Sequence, residues 1–200
     1  MELREAITGR RMCRSFLSDP VEPEALDRVL DAGRRAPAAG NSAGTHLIVL
    51  EGPEQTGRYW DVTLPAERRA GFRWPHLLDA PALVLPLADP DAYVARYAEP
   101  DKASTGLGAG RDAWPIPYWT VDTAFAAMSM LLAAEDEGLG ALFFGIFRGR
   151  DELFEALGVP QGLEPIGTIA LGHRRGDDRP GRSAGRGRPS LAEYAHRGGW

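Results

Sequence analysis

The sequence of 200 residues contains a single cysteine, Cys13, and no long uninterrupted apolar run. One cysteine cannot form an intrachain disulfide, which fits a protein of a reducing compartment. The longest apolar runs, at residues 80–88 and 139–147, are broken by proline or glycine and are too short to cross a bilayer. The N-terminal residues include Glu2 and Glu5 and lack the pattern of a secretory signal. We therefore expect a cytoplasmic protein.

Two further classes of function have little support. The formal net charge of −5 does not favour general binding to nucleic acid. The four histidines do not have the spacing of metal ligands, and one cysteine cannot complete a zinc site. No internal repeat or composition break divides the chain. We expect a single domain over residues 1–200, with residues 174–200 forming a C-terminal arm rich in arginine and glycine.

Helical and strand patterns are mixed without strict alternation, which predicts an α+β fold. The predicted helices cover residues 3–9, 23–36, 122–137 and 152–157, and the predicted strands cover residues 46–50, 82–85, 141–144 and 166–171.

Two details of these elements can be checked against a structure. Asp122 is predicted as the N-cap of the long helix, whose buried stripe would consist of Phe125, Met128, Leu131 and Leu132. Pro86 lacks an N–H group, so it is expected to place the end of the second strand at a sheet edge or beyond.

Three arginines fall within five positions in residues 10–16, which read RRMCRSF. Guanidinium groups this close repel one another unless an anion lies between them. A phosphate suits this role, because its oxygens match the planar fork of arginine. One helix later, residues 36–41 read APAAGN and contain the only asparagine in the chain, Asn41.

Several motifs have alternative interpretations. Residues 40–44 match the G-x-S-x-G pattern of serine hydrolases, with Ser42 as nucleophile, but here a helix precedes and a strand follows, which reverses the required order. The glycines at 138, 140 and 145 end a helix and open a strand, the wrong polarity for a dinucleotide loop. Cys13 either has a lowered pKa beside the arginines or is a small packed residue.

Two irregular segments remain. Residues 99–120 mix glycines with aromatic side chains and are interpreted as a working loop. The C-terminal arm carries seven arginines against three acidic residues after His173. It could bind RNA, form a solvated arm, or bring Arg186 and Arg188 to the same phosphate as the N-terminal arginines.

Five segments in this order resemble the nitroreductase family of FMN-dependent oxidoreductases. Residues 10–16 are similar to the family signature RRSxRxF, and residues 36–41 are similar to its signature APSAGN. The helix that ends in Gly-Leu-Gly, with the strand and turn that follow it, is also similar to the family. So are the strand at 166–173 and the closing segment from residue 186. The resemblance covers nearly the whole chain.

The resemblance implies an α+β fold, with a mainly antiparallel sheet flanked by helices, in an intertwined homodimer with FMN at the interface. One subunit would bind the phosphate and ribityl chain through its basic segment, and residues 144–146 would pass close to one edge of the ring. The second subunit would line the ring with residues 37–41. The implied cofactor-binding residues are Arg10, Arg11, Met12, Arg14, Pro37, Ala38, Ala39, Asn41, Phe144, Gly145, Ile146, Arg186 and Arg188.

The chemistry of these residues agrees with a flavin. Small residues at 38–40 let the backbone approach a flat ring, and Asn41 offers both a donor and an acceptor to the ring edge. Two departures concern the rim of the pocket. Met12 replaces the signature serine, and residues 42–45 replace a family Gln-Pro-Trp run with smaller side chains. We expect Trp114, Tyr118 and Trp119 to compensate by forming the acceptor pocket.

The sequence therefore predicts an FMN-dependent oxidoreductase that passes hydride from NADH or NADPH to a flat, electron-poor small molecule by a ping-pong mechanism. Nitroaromatics and quinones are the family's common acceptors. The flavin carries the chemistry, so no catalytic side chain is required. Three alternatives stay open: the same fold with another flavin reaction, namely natural-product dehydrogenation or oxygen-dependent flavin breakdown, a serine hydrolase at Ser42, and an RNA-binding protein.

Overall fold

The computed structural model describes residues 1–179, 181 and 185–200. These residues form eight α-helices and a five-stranded sheet. The helices are α1 (Leu3–Gly9), α2 (Pro23–Arg34), α3 (Gly52–Thr63), α4 (Ala66–Arg69), α5 (Pro90–Tyr97), α6 (Tyr118–Asp136), α7 (Arg150–Leu157) and α8 (Leu191–Tyr194). The strands are β1 (Thr45–Glu51), β2 (Ala82–Ala88), β3 (Gly140–Phe144), β4 (Glu164–Pro165) and β5 (Thr168–Gly172).

The sheet has the order β1-β2-β5-β3, and the short strand β4 also pairs with β2. Every pairing among these described strands is antiparallel. The predicted α+β fold with a mainly antiparallel sheet is confirmed.

Both faces of the sheet are covered, because successive side chains of a strand point to opposite faces. Val84 and Ile169 pack with α2 and α6 around Met130. Leu83 and Leu85 face the other side, where they pack in a second core that includes Tyr59 and Trp60 of α3. β2 is buried along its whole length, which explains why its sequence is continuously apolar.

The expectation that Pro86 marks a sheet edge is wrong. β2 continues through Pro86 to Ala88 and pairs with β1 along its whole length. On its other side the partner changes near this proline, from β5 up to Val84 to β4 from Leu87. The missing N–H of Pro86 therefore coincides with a break between partners and does not interrupt the ladder with β5.

The helix predicted at 122–137 begins four residues earlier, at Tyr118. Asp122 is therefore inside α6 and is not its N-cap. The predicted buried stripe is also wrong in part, since Phe125 and Met128 are 48% and 41% exposed while Ala126, Ala127 and Met130 are buried. This helix is apolar on nearly every side, so the period of its apolar residues does not identify the buried face.

The sequence interpretation missed α3 and α5, which follow β1 and β2 directly. The predicted C-terminal arm at 174–200 includes residues 180 and 182–184, which lie outside the described residues. None of the helices in the described part of the chain combines the length and apolar composition needed to cross a membrane.

Candidate active site

The basic segment of residues 10–14 runs beside β3. Met12 forms a parallel bridge with Ala141, and the Cys13 N–H donates to the Ala141 carbonyl at 2.9 Å. Cys13 is buried, while Arg10 and Arg14 on either side are half-buried. The sheet edge therefore fixes the backbone from which these two arginines project.

Arg10 presents unsatisfied hydrogen-bond donors. Its Nε and Nη1 atoms are buried and have no hydrogen-bond partner among the described residues. A guanidinium carries five N–H donors and cannot lose its charge, so leaving two of its nitrogens unpaired is costly. This arrangement favours an anion at Arg10.

The other two arginines of the segment have protein contacts. Arg11 is exposed, and its Nη1 donates to the carbonyls of Thr8, Gly9 and Arg10 at 2.7, 3.1 and 2.9 Å, at the end of α1. The Arg14 guanidinium lies 5.5 Å from the centroid of the Trp74 ring. The geometry thus separates Arg11, which caps a helix, from Arg10 and Arg14.

Arg14 lines a cavity of about 630 Å³ that we call the aromatic cavity. Its walls include Phe72, Trp74, Phe144, Phe147 and Arg148. Gly145 also lines it, and Ile146 packs against the neighbouring core. No carboxylate is among the described residues that line this cavity. An anionic, flat ligand suits such a surface.

The second motif, at residues 36–41, forms a turn with an unusual backbone. Gly40, Asn41 and Ala43 have φ angles of 63°, 55° and 51°, a region that non-glycine residues adopt at a cost. Two groups from other elements support the turn. The Ala39 N–H donates to Asp122 Oδ2 at 2.7 Å, and Arg96 Nε donates to the Gly40 carbonyl at 2.9 Å.

This turn borders a different cavity, of about 680 Å³, that we call the turn cavity. Pro37, Ala38 and Asn41 line it, together with Asp27, Asp31 and Asp122. Within one chain, Arg14, Phe144 and Gly145 therefore line one cavity, while Pro37, Ala38 and Asn41 line another. Ala39 lies behind the turn, against the aromatic cluster described below.

Ser42 lies in the same turn and is buried. Its hydroxyl donates to the Ala39 carbonyl at 2.5 Å. In the described part of the chain, no histidine forms a hydrogen bond with it, although a serine nucleophile needs such a base. This geometry favours a structural turn over a hydrolase site.

Cys13 is 2% exposed, and burial raises the pKa of its thiol. Of the two interpretations of this residue, the packed side chain is supported and the activated thiol is not.

The predicted acceptor residues occupy an aromatic cluster around Tyr93. Trp114 and Trp119 are 8% and 7% exposed, and their rings lie 5.8 and 6.3 Å from that of Tyr93. Their indole N–H groups donate to the Leu107 carbonyl and to Glu164. Tyr118 is 39% exposed. The two tryptophans therefore make the contacts of packing residues. The acceptor pocket stays a prediction.

Arg186 and Arg188 are exposed and follow residues 182–184, which lie outside the described part of the chain. Their convergence on the N-terminal arginines stays a prediction. Sequence reasoning missed Phe72, Trp74 and Arg148 of the aromatic cavity, and Tyr93 behind the turn. For the two aromatic residues a signal was present, because Phe72, Trp74 and three arginines cluster in residues 68–74.

Comparison with known proteins places this geometry in a family. The model of the nitroreductase family matches residues 7–173. A Bacillus subtilis protein named FMN reductase [NAD(P)H] is 27% identical over 173 residues, which are 86% of this chain and 66% of the relative. A solved nitroreductase family protein from Clostridium difficile is 23% identical, with a TM-score of 0.73 and 100% coverage of both chains. A Desulfovibrio desulfuricans protein solved in complex with FMN is 25% identical, with a TM-score of 0.67 and coverage of 98% of this chain and 95% of that one.

The family match includes the basic segment, the strained turn, all five strands and the residues that line both cavities. It confirms the family to which the sequence motifs pointed. The chain belongs to the nitroreductase family of oxidoreductases.

Proposed function

We propose that this protein is an FMN-dependent oxidoreductase that takes hydride from NADH or NADPH and reduces a flat, electron-poor small molecule. The relatives support the cofactor and the donor: one is named FMN reductase [NAD(P)H], and one was solved in complex with FMN. Nitroaromatics and quinones are the acceptors that we propose to test first.

The observation that carries this proposal is the chemistry of Arg10 and of the aromatic cavity at Arg14, which we together call the basic half-site; the turn at residues 36–43 is the strained half-site. Arg10 has buried N–H groups that find no partner in the described part of the chain, and Arg14 borders a cavity with aromatic walls and no carboxylate among its described lining. FMN combines a doubly charged phosphate with a flat ring. It therefore fits this donor set and these walls. Arg11 fits less well, since its guanidinium caps α1.

The positions of the two cavities support a homodimer. The basic segment and the strained turn are at different cavities of one chain, so a single flavin that contacts both needs two subunits. Four large apolar side chains on α1 and α6 are exposed: Leu3 at 66%, Ile7 at 48%, Phe125 at 48% and Met128 at 41%. Exposed apolar residues on adjacent helices are typical of a protein–protein interface.

In this proposal the protein binds FMN, orients its ring and shields it from water. Arg10 and Arg14 would neutralise the phosphate or donate hydrogen bonds to the ribityl chain, and the backbone at Ala38 would approach the ring closely because its side chain is small. Asn41 offers its amide to the ring edge as both donor and acceptor. The aromatic walls exclude water from the reacting face. Bound FMN supplies the hydride-transfer chemistry, so no acid–base pair of side chains is required.

The first experiment is a titration of the purified protein with FMN, followed by assays of NADH and NADPH oxidation with a quinone and with a nitroaromatic. We expect uptake of FMN and alternating reduction and reoxidation. Failure to take up FMN would contradict the proposal. Uptake of FMN without NAD(P)H oxidation would favour another reaction on the same cofactor.

The acceptor pocket is tested by Tyr118→Ala, because Tyr118 is the exposed member of the three predicted residues. We expect a changed ratio of quinone to nitroaromatic turnover with an unchanged melting temperature. An unchanged acceptor profile would remove Tyr118 from the pocket.

A further inference from the structure

A buried carboxylate lies behind the strained turn. Asp122 of α6 is 5% exposed. Its Oδ2 accepts hydrogen bonds from the Ala39 N–H at 2.7 Å and from the Tyr93 hydroxyl at 2.8 Å. No arginine, lysine or histidine among the described residues forms an ion pair with it, in contrast to the half-buried Asp31, which pairs with Arg34 and Arg35. A buried charge without a cation is costly unless its hydrogen bonds are made.

The turn needs such support because its backbone is strained. A left-handed conformation costs a non-glycine residue about 1–2 kcal/mol, and Asn41 and Ala43 both adopt it. Gly40 has no room for a side chain, since a Cβ there would lie 2.7 Å from Cε2 of Tyr97. Strain of this kind persists only when neighbouring groups fix the conformation.

Tyr93 connects the carboxylate to the aromatic cluster. Its ring is fully buried, and it packs edge-on against Trp114 and Trp119. Burial, together with the hydrogen bond to Asp122, raises the pKa of the Tyr93 hydroxyl. The group therefore stays protonated and remains a donor at every working pH.

We propose that Asp122 and Tyr93 are positioning residues for the cofactor: they fix the Ala39 amide, and with it the 37–41 turn, in the conformation that faces the flavin of the second subunit. This inference depends on the proposed function, because it presumes that the turn contacts FMN. It also gives Trp114 and Trp119 a role, since they pack behind Tyr93 and keep its hydroxyl directed at Asp122.

The test compares two tyrosines that differ in one contact. Tyr93→Phe removes the hydroxyl bonded to Asp122 and keeps the ring. Tyr97→Phe is the matched control: Tyr97 packs against the same Trp114 ring at 4.7 Å, but its hydroxyl has no hydrogen bond with any described residue. Each variant is measured for FMN affinity by flavin fluorescence, for the absorption spectrum of bound flavin, and for the melting temperature of the FMN-free protein.

For Tyr93→Phe we expect FMN binding to weaken about tenfold and the flavin spectrum to change, because the buried Asp122 carboxylate loses one of its two described donors and holds the turn less firmly. Tyr97→Phe should bind like the wild type. A Tyr93→Phe protein that loses thermal stability but keeps the wild-type affinity and spectrum would overturn the inference, since that is the result of a purely structural role.

A second variant decides the matter if Tyr93→Phe does not fold. Asp122→Asn keeps the shape and one acceptor oxygen but removes the charge, and we expect weaker FMN binding with a changed spectrum. Wild-type affinity and spectrum in this variant would reject the inference. Absence of FMN binding in the wild-type protein would instead reject the proposed function itself.

Discussion

The aromatic cavity and the turn cavity belong to one chain but are built in opposite ways. The aromatic cavity depends on side chains: two arginines, seven aromatic residues and no described carboxylate. The turn cavity depends on backbone, with three carboxylates around a segment that contains three left-handed residues. One half-site is therefore specified by residue type, and the other by a conformation that distant residues maintain.

This difference indicates how each half-site will respond to mutation. A side chain that contacts a ligand directly can be replaced with little effect on the fold. A strained turn is sensitive to its supports, and damage to it lowers stability and binding together. The following changes test this comparison, beginning with the largest expected effect.

Replacing Arg14 should abolish most cofactor binding. Arg14→Glu removes a charge-assisted contact and adds a repelling carboxylate to a cavity that has none among its described residues, so we expect FMN affinity to fall about 100-fold. Equilibrium titration of flavin fluorescence gives the affinity, and circular dichroism checks the fold. Arg150→Glu is the matched charge reversal, because Arg150 is exposed and its one ion pair within the described residues is with Asp151. Equal losses in the two variants would mean that net charge alone matters.

Two glycines of similar backbone conformation test the strained half. Gly40 and Gly52 have φ angles of 63° and 73°, but among the described atoms a Cβ would clash with Tyr97 only at Gly40. We expect Gly52→Ala to lower the free energy of unfolding by about 1 kcal/mol. Gly40→Ala should lower it by about 3 kcal/mol, because overpacking adds to the strain. Urea denaturation measures both values, and similar losses would show that the turn is not tightly packed against α5.

The proposed FMN site between two subunits depends on a dimer interface at the exposed face of α1 and α6. Phe125→Glu places a charge on that face in both copies, and we expect dimer affinity to weaken about tenfold. Sedimentation velocity at several concentrations measures it. Ile116→Glu is the control, since Ile116 has the same 48% exposure but lies outside both helices. A Phe125→Glu monomer that binds FMN as tightly as the wild type would contradict the two-subunit site.

The parts of the fold that the sequence predicted are those whose patterns are local. α1, α2 and the strand segments at β1 and β3 were found, because apolar spacing and glycine or proline at the ends define them. α3 was missed because it begins at Gly52 directly after β1, where glycine and proline were interpreted only as the end of a strand. The basic segment could also be identified from the sequence, because charge is a property of single residues.

The sequence located the strained turn but did not reveal the residues that support it. Asn41 and the small residues before it mark the turn, yet nothing local indicates that Asp122, more than 80 positions later, accepts the Ala39 N–H. Asp122 was predicted as a helix N-cap, because the sequence pattern placed the start of α6 four residues too late. Tyr93 could not be found either, since its role arises from a contact between α5 and α6 that only the fold creates.

The smallest expected effect concerns Cys13, which tests whether the positive charge of the basic segment controls the pKa of a buried thiol. Arg14 and Arg174 favour the thiolate, but burial is the larger influence and raises the pKa of the thiol. A raised pKa means less thiolate at any pH below it, so we expect alkylation of Cys13 in the folded protein to be slower than that of an exposed thiol from pH 7 to 9. The rate should rise when urea unfolds the protein. Fast alkylation at pH 7 in the folded state would mean that the arginines dominate, and that the basic half-site extends its influence into the core beneath it.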